Sequence, residues 1–102
     1  MNHFNNLTPA EAERLAYLLE ELGEAQQAIG KILRHGYEST HPDGGPTNRN
    51  MLEDEMGDIV KALILMKADL NLTKIWSSQP GPKLFKYLHH QQEIAPCPSS
   101  SA

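Results

Sequence analysis

A chain of 102 residues is the length of one domain, and it buries roughly 65% of the surface its unfolded form exposes, enough for one modest core or a larger one shared with another subunit. Its formal charge of −4 and pI of about 5.7 lack the basic footprint of a nucleic-acid binder, so no nucleic-acid partner is expected. The single cysteine, Cys97, excludes an internal disulfide and fits a reducing compartment. The N-terminal MNHFNNLTPAEAER has neither the basic nor the apolar region of a signal peptide. The longest strongly apolar run, Ile59 to Met66, contains Lys61 and is far shorter than the ~20 residues that span a bilayer. A soluble, cytoplasmic protein with no membrane partner is expected.

Thr8-Pro9-Ala10-Glu11 reads as a capping box with proline in the first turn of a helix. Leu15, Leu18, Leu19, Leu22, Ala25, Ile29, Ile32 and Leu33 then recur at the helical period, and Gly36 reads as the stop. The spacing predicts a first helix of about 27 residues, roughly 40 Å long. Residues 37–49, with Pro42, Gly44, Gly45 and Pro46, read as a loop long enough to be functional. Asn50 with Glu53 is a capping signal for a second helix. That helix carries Leu52, Met56, Ile59, Leu63, Met66 and Leu70 on one side and Val60, Ile64 and Leu65 elsewhere, so it is apolar nearly all round. In so short a chain the extra partner is another copy, a homodimer or homotetramer. Residues 72–78 read as a short helix, 79–82 as a turn and 83–93 as a last helix with Leu84, Tyr87 and Leu88 inward. The fold class is all-α: a compact bundle of about four helices with a long first helix, completed by oligomerisation. One domain spans 1–95, and the Pro/Ser-rich 96–102, with Cys97, reads as a disordered tail.

Two acidic tetrads stand out. Glu21-Leu22-Gly23-Glu24 and Glu55-Met56-Gly57-Asp58 both read E-x-G-[ED], each within a predicted helix. Residues three apart share a helix face, so each tetrad aims two carboxylates one way. On a helical wheel both sets flank apolar stripes, the first centred near Leu22 and Ile29. Carboxylates beside a core seam are partly desolvated and need a partner. Two such helices side by side gather four acids, a donor set suited to Mg²⁺ or Mn²⁺. The plainer alternative is a pair of solvated acidic faces.

The same segments resemble the MazG-like, all-α NTP pyrophosphatase superfamily. Its E-E-x-x-E motif is matched by Glu20-Glu21-Leu22-Gly23-Glu24 and its E-x-x-D motif by Glu55-Met56-Gly57-Asp58. The apolar run Ile59 to Met66 and a lysine-bearing last helix are also similar, and the likeness covers roughly residues 10–90. Thirty residues, 25 to 54, separate the motifs, a gap slightly longer than is usual in the family. The resemblance implies hydrolysis of a nucleoside triphosphate to the monophosphate and pyrophosphate. It implies Glu21, Glu24, Glu55 and Asp58 as Mg²⁺ ligands, with Mn²⁺ a substitute. Glu21 or Glu24 is the candidate for orienting or deprotonating the water, and Glu20 takes a structural or supporting role.

Lys31, Arg34, Lys83 and Lys86 are candidates for substrate phosphates. For Lys31, Arg34 and His35 the alternative is that they complement the negative end of the first helix. Lys61 reads as the partner of a local carboxylate. Tyr37, Trp76, Phe85 and Tyr87 read as packing residues rather than base-stacking ones. Adjacent His89 and His90 do not form a metal pair, and His41 reads as exposed. A non-catalytic helical dimer that binds nucleotides or a protein partner is the alternative function, with phosphoribosyl-ATP pyrophosphohydrolase ranked lower.

Overall fold

The computed structural model describes residues 4–91, and these contain four α-helices and no strand. The expected tail 96–102 with Cys97, and residues 92–93 of the expected last helix, lie outside the described residues. Within the span 1–95 the chain divides into two compact units, one ending at Leu72 and the other beginning at Thr73.

In the first unit the capping box at Thr8 forms in full. Glu11 N–H donates to Thr8 Oγ1 at 3.1 Å and Thr8 N–H to Glu11 Oε1 at 2.8 Å, which satisfies donors that a helix start otherwise leaves open. Helix α1 runs Pro9–His35. Gly36 ends it with φ 89°, a left-handed value that glycine adopts without steric cost, and donates its N–H to Ile32 O at 2.7 Å.

Helix α2 runs Asn48–Leu65 and leads into one 3₁₀ turn, Met66–Ala68. Its cap is Thr47, not Asn50. Thr47 is extended, and its Oγ1 accepts the Asn50 N–H at 3.1 Å, so the helix starts before the predicted cap and Asn50 lies inside its first turn. Both sites carry a capping residue; the loop decides between them. Asn48 N–H donates to Ser39 O at 2.9 Å, Arg49 N–H to Tyr37 O at 2.8 Å and Asn48 Nδ2 to Gly36 O at 3.1 Å. Asn48 is buried. These three bonds clamp the start of α2 to the end of α1.

At the opposite end, Arg14 holds Asp69 through Nε–Oδ2 at 2.7 Å and Nη2–Oδ1 at 2.9 Å. With the start of α1 joined to the end of α2 and the end of α1 to the start of α2, the two helices form an antiparallel hairpin. Its seam is made of small residues. Ala25 and Ala28 of α1 and Ala62 and Met66 at and beyond the α2 end are the buried apolar side chains among the described residues. Alanine lets helix backbones approach closely.

The stripe centred on Leu22 and Ile29 is not the one the hairpin buries. Both residues are more than a third exposed, as are Leu15, Leu19 and Leu33, while the buried line runs through Glu21, Ala25 and Ala28. Met56, Val60 and Ile64 of α2 are likewise exposed. No helix among the described residues is long and apolar enough to cross a membrane.

In the second unit, α3 (Leu72–Trp76) matches the short helix predicted there, and the Ser77 and Ser78 hydroxyls donate to Lys74 O at its end. Helix α4 is Pro82–Tyr87, shorter than the predicted 83–93, because Leu88 turns extended at φ −108°, ψ 117°. A helix of that length has little cooperative support. Leu84, Tyr87 and Leu88 are exposed rather than inward.

Candidate metal centre

The hairpin brings the two tetrads together across its seam. Glu21 and Glu24 of α1 and Glu55 of α2 each offer a carboxylate oxygen, and the three oxygens lie within 4.8 Å of one another. Glu21 is only 9% exposed. Oε2 of Glu21 and Oε2 of Glu55 are both buried with no hydrogen-bond partner. Such orphaned polar atoms are rare in folded proteins, and for carboxylates they are costly.

The electrostatics follow from that placement. Burial pushes the Glu55 carboxyl up to about 7; the charge of Glu24 and a carboxyl–carboxyl hydrogen bond with it add to the shift, followed by the charges of Glu21 and Asp58. Burial also raises Glu21, helped by the charges of Glu24 and Asp58 and opposed by a hydrogen bond with Glu55. The contrast with Asp69 is direct. The Arg14 hydrogen bonds hold that carboxyl below its usual range despite burial.

Asp58 stands at the edge of the group. Its charge reaches Glu21 and Glu55, but its Oδ1 lies 3.6 Å from Lys61 Nζ, the local pair expected for that lysine. Glu20 is exposed on α1, outside the cluster.

These residues fit a hard divalent cation. Two oxygens on one Mg²⁺ lie at most about 4.2 Å apart, and on one Ca²⁺ at most about 5 Å. The three-glutamate set therefore needs little or no closure to ligate one ion, and the two orphaned oxygens supply donors with no other partner.

The remaining site candidates divide by location. Lys31 and Arg34 line a cleft at the loop end of the hairpin. Lys83 and Lys86 lie on α4 in the second unit, where Lys86 Nζ is 5.9 Å from the Tyr87 ring centroid. Tyr37 is covered by the Arg49 guanidinium at 4.2 Å, and Arg49 also pairs with Glu38 at 2.6 Å. Trp76 is exposed, and the Phe85 side chain lies outside the described residues. His41, exposed as expected, also lines the cleft. Its place there, with Ser39 and Thr40, escaped sequence reasoning; the available signal was a Pro/Gly-rich loop following three basic residues.

No protein-family model, curated protein or solved structure matches this chain.

Proposed function

We propose that the protein is a Mg²⁺-dependent nucleoside triphosphate pyrophosphohydrolase of the MazG-like kind, which clears nucleotides from the cytoplasmic pool. The observation that carries the reading is the gathering of Glu21, Glu24 and Glu55 around two buried oxygens that lack a partner. An acidic protein that takes an anionic triphosphate needs cations between the two, and these carboxylates are built to hold them.

Glu21 and Glu55 would be the principal ligands, because the Oε2 atom of each is buried without a partner. Asp58, paired with Lys61 at the edge of the group, would be a further one. A bound divalent cation supplies charge neutralisation for the triphosphate and a water of lowered pKa. Glu24, more accessible than Glu21, would orient the attacking water or take its proton. The water oxygen bonds to the α-phosphorus, the bond to the α–β bridging oxygen breaks, and pyrophosphate leaves. Lys31 and Arg34 meet the phosphates as a point charge and a planar fork.

The active form is a homodimer or homotetramer. The hairpin leaves Leu15, Leu19, Leu22, Ile29 and Leu33 exposed along one side of α1, and the described residues bury few apolar groups of their own. A second copy of the same surface covers such a stripe symmetrically. Light scattering behind gel filtration, giving a mass of two or four chains, checks this.

The deciding experiment measures pyrophosphate release from a panel of canonical and modified NTPs and dNTPs with Mg²⁺, Mn²⁺ or EDTA. Metal-dependent release that disappears in Glu24→Ala is the expected result. A folded protein that releases no pyrophosphate from any of them refutes the enzyme.

A further inference from the structure

The loop end of the hairpin holds a second feature that the carboxylates do not use. A half-open cleft of about 640 Å³ lies between the last turns of α1, the 36–47 loop and the first turn of α2. Ligand pockets occupy roughly 300–1,000 Å³, so the space suits a small molecule rather than a lone ion. Lys31, Arg34, His35 and His41 stand around it, and no carboxylate lines it among the described residues. On a chain with a net charge of −4 this is a local inversion of sign.

The cations are available. Among the described residues, Lys31, Arg34 and His35 have no carboxylate within ion-pairing distance. His41 is oriented by its own loop: Asp43 N–H donates to His41 Nδ1 at 3.1 Å, which leaves Nε2 as the donor nitrogen of the neutral ring. The Asp43 carboxylate lies 3.5 Å from the same Nδ1, outside the cleft lining. Ser39 and Thr40 add hydroxyls.

The start of α2 is not the attraction. The N–H groups of Asn48, Arg49, Asn50 and Met51 go to Ser39 O, Tyr37 O, Thr47 Oγ1 and Thr47 O. Any anion in the cleft is held by side chains. The dipole of α1 accounts for basic residues at its end, but not for a hollow of this size that excludes every acid. Lys31 and Arg34 also border a shallower groove along α1, lined by Gly23, Gln26, Gln27 and Gly30, which extends back to the residue beside Glu24. Lys31 lies seven positions beyond Glu24, roughly 10 Å along the helix.

We infer that this cleft is an anion site for pyrophosphate, the product of the proposed reaction, set apart from the carboxylates along the hairpin. The inference rests on the hydrolase reading for the ligand's identity, and the cleft's affinity for pyrophosphate is testable without it.

The test is an NMR titration of the full chain with inorganic pyrophosphate in EDTA, so that no metal takes part. Saturable shifts confined to residues 31–48 are expected. Lys31→Ala and Arg34→Ala should each weaken binding by about tenfold, the loss typical of a hydrogen bond to a charged group, while Lys67→Ala on the far end of the hairpin leaves it unchanged. Adenosine should leave these residues unmoved. Pyrophosphate shifts centred elsewhere, full affinity in Arg34→Ala, or equal shifts with adenosine would each overturn the inference. Pyrophosphate bound in the cleft of a protein that turns over no triphosphate supports the site and sinks the hydrolase. Turnover with no pyrophosphate in the cleft does the reverse.

Discussion

Two carboxylate groups sit on the same helix hairpin and are treated in opposite ways. At one end Asp69 meets Arg14 in a two-pronged ion pair, and its acidity is increased. In the middle Glu21 is buried and Glu55 half-buried beside Glu24, with no basic side chain paired to either among the described residues, and their acidity is decreased. The hairpin has basic residues to spare, since Lys31 and Arg34 lie on the same helix without a carboxylate partner among the described residues. On the proposed reading, that difference separates structure from ligand binding: the first group is complete within the chain, and the second is completed by a cation.

The largest expected effect comes from breaking the unpaired group. Glu55→Gln keeps the size of the side chain and removes its charge. Pyrophosphate release should fall by about 10²–10⁴-fold, the range for loss of an acid–base or metal-held group, while the metal-free protein keeps its melting temperature or gains slightly. Retained turnover in this variant would show that the cluster is not the active centre.

Next comes pH. Glu55 binds its proton more tightly when folded, at about 7, than at its ordinary value of 4.5. Its contribution to stability is therefore full below pH 4.5 and is lost as pH rises through about 7. Glu21 has the same sign. Asp69 has the other: its contribution is present above its ordinary 3.8 and lost as pH falls below that. In EDTA the melting temperature should decline between pH 4.5 and 7 and then level off. Saturating Mg²⁺ or Mn²⁺ should remove the decline, since a cation favours the ionised carboxylates. Calorimetry across that window checks both; a decline unaffected by metal would refute the cation site.

Arg14→Ala attacks the completed group. It should lower the melting temperature at every pH where Asp69 is ionised, with kcat/KM little changed at temperatures where the protein remains folded. A loss of turnover matching that of Glu55→Gln would erase the distinction between the two groups. The smallest effect belongs to Lys61→Ala. Its pair with Asp58 is exposed, and such pairs contribute about 0–1 kcal/mol. Stability should hardly move, and metal affinity, read by titration calorimetry, should rise slightly as Asp58 is released.

The acidic pair of motifs was legible because spacing alone fixes which residues share a helix face, and the Thr8 box and Gly36 stop are local chemistry that needs no tertiary context. The helix face that meets a neighbour is a different question. Periodicity pointed to Leu22 and Ile29, the larger side chains, whereas the seam is built on Ala25, Ala28 and Ala62, whose small size permits approach but gives a faint hydrophobic signal. The start of α2 was misjudged for a related reason. Thr47 and Asn50 are both competent caps, and backbone bonds to Tyr37 and Ser39, distant in sequence, select the first. The cleft was invisible because Ser39, Thr40 and His41 have no periodic pattern; only the closed loop puts them opposite Lys31 and Arg34.

That clamp has a consequence for how such a chain tolerates change. Asn48 and Arg49 fasten the loop at Gly36, Tyr37 and Ser39, so the helices are registered before the loop reaches its tip. Gly44 and Gly45, both at positive φ, sit in the stretch beyond the fastening. Residues added near that tip lengthen an arc whose ends are already pinned, at a closure cost that grows only with the logarithm of its length. The tip thus accepts added residues with the three glutamates left in register below it, and what such an insertion alters is the cleft that Pro42, Gly44 and Pro46 line.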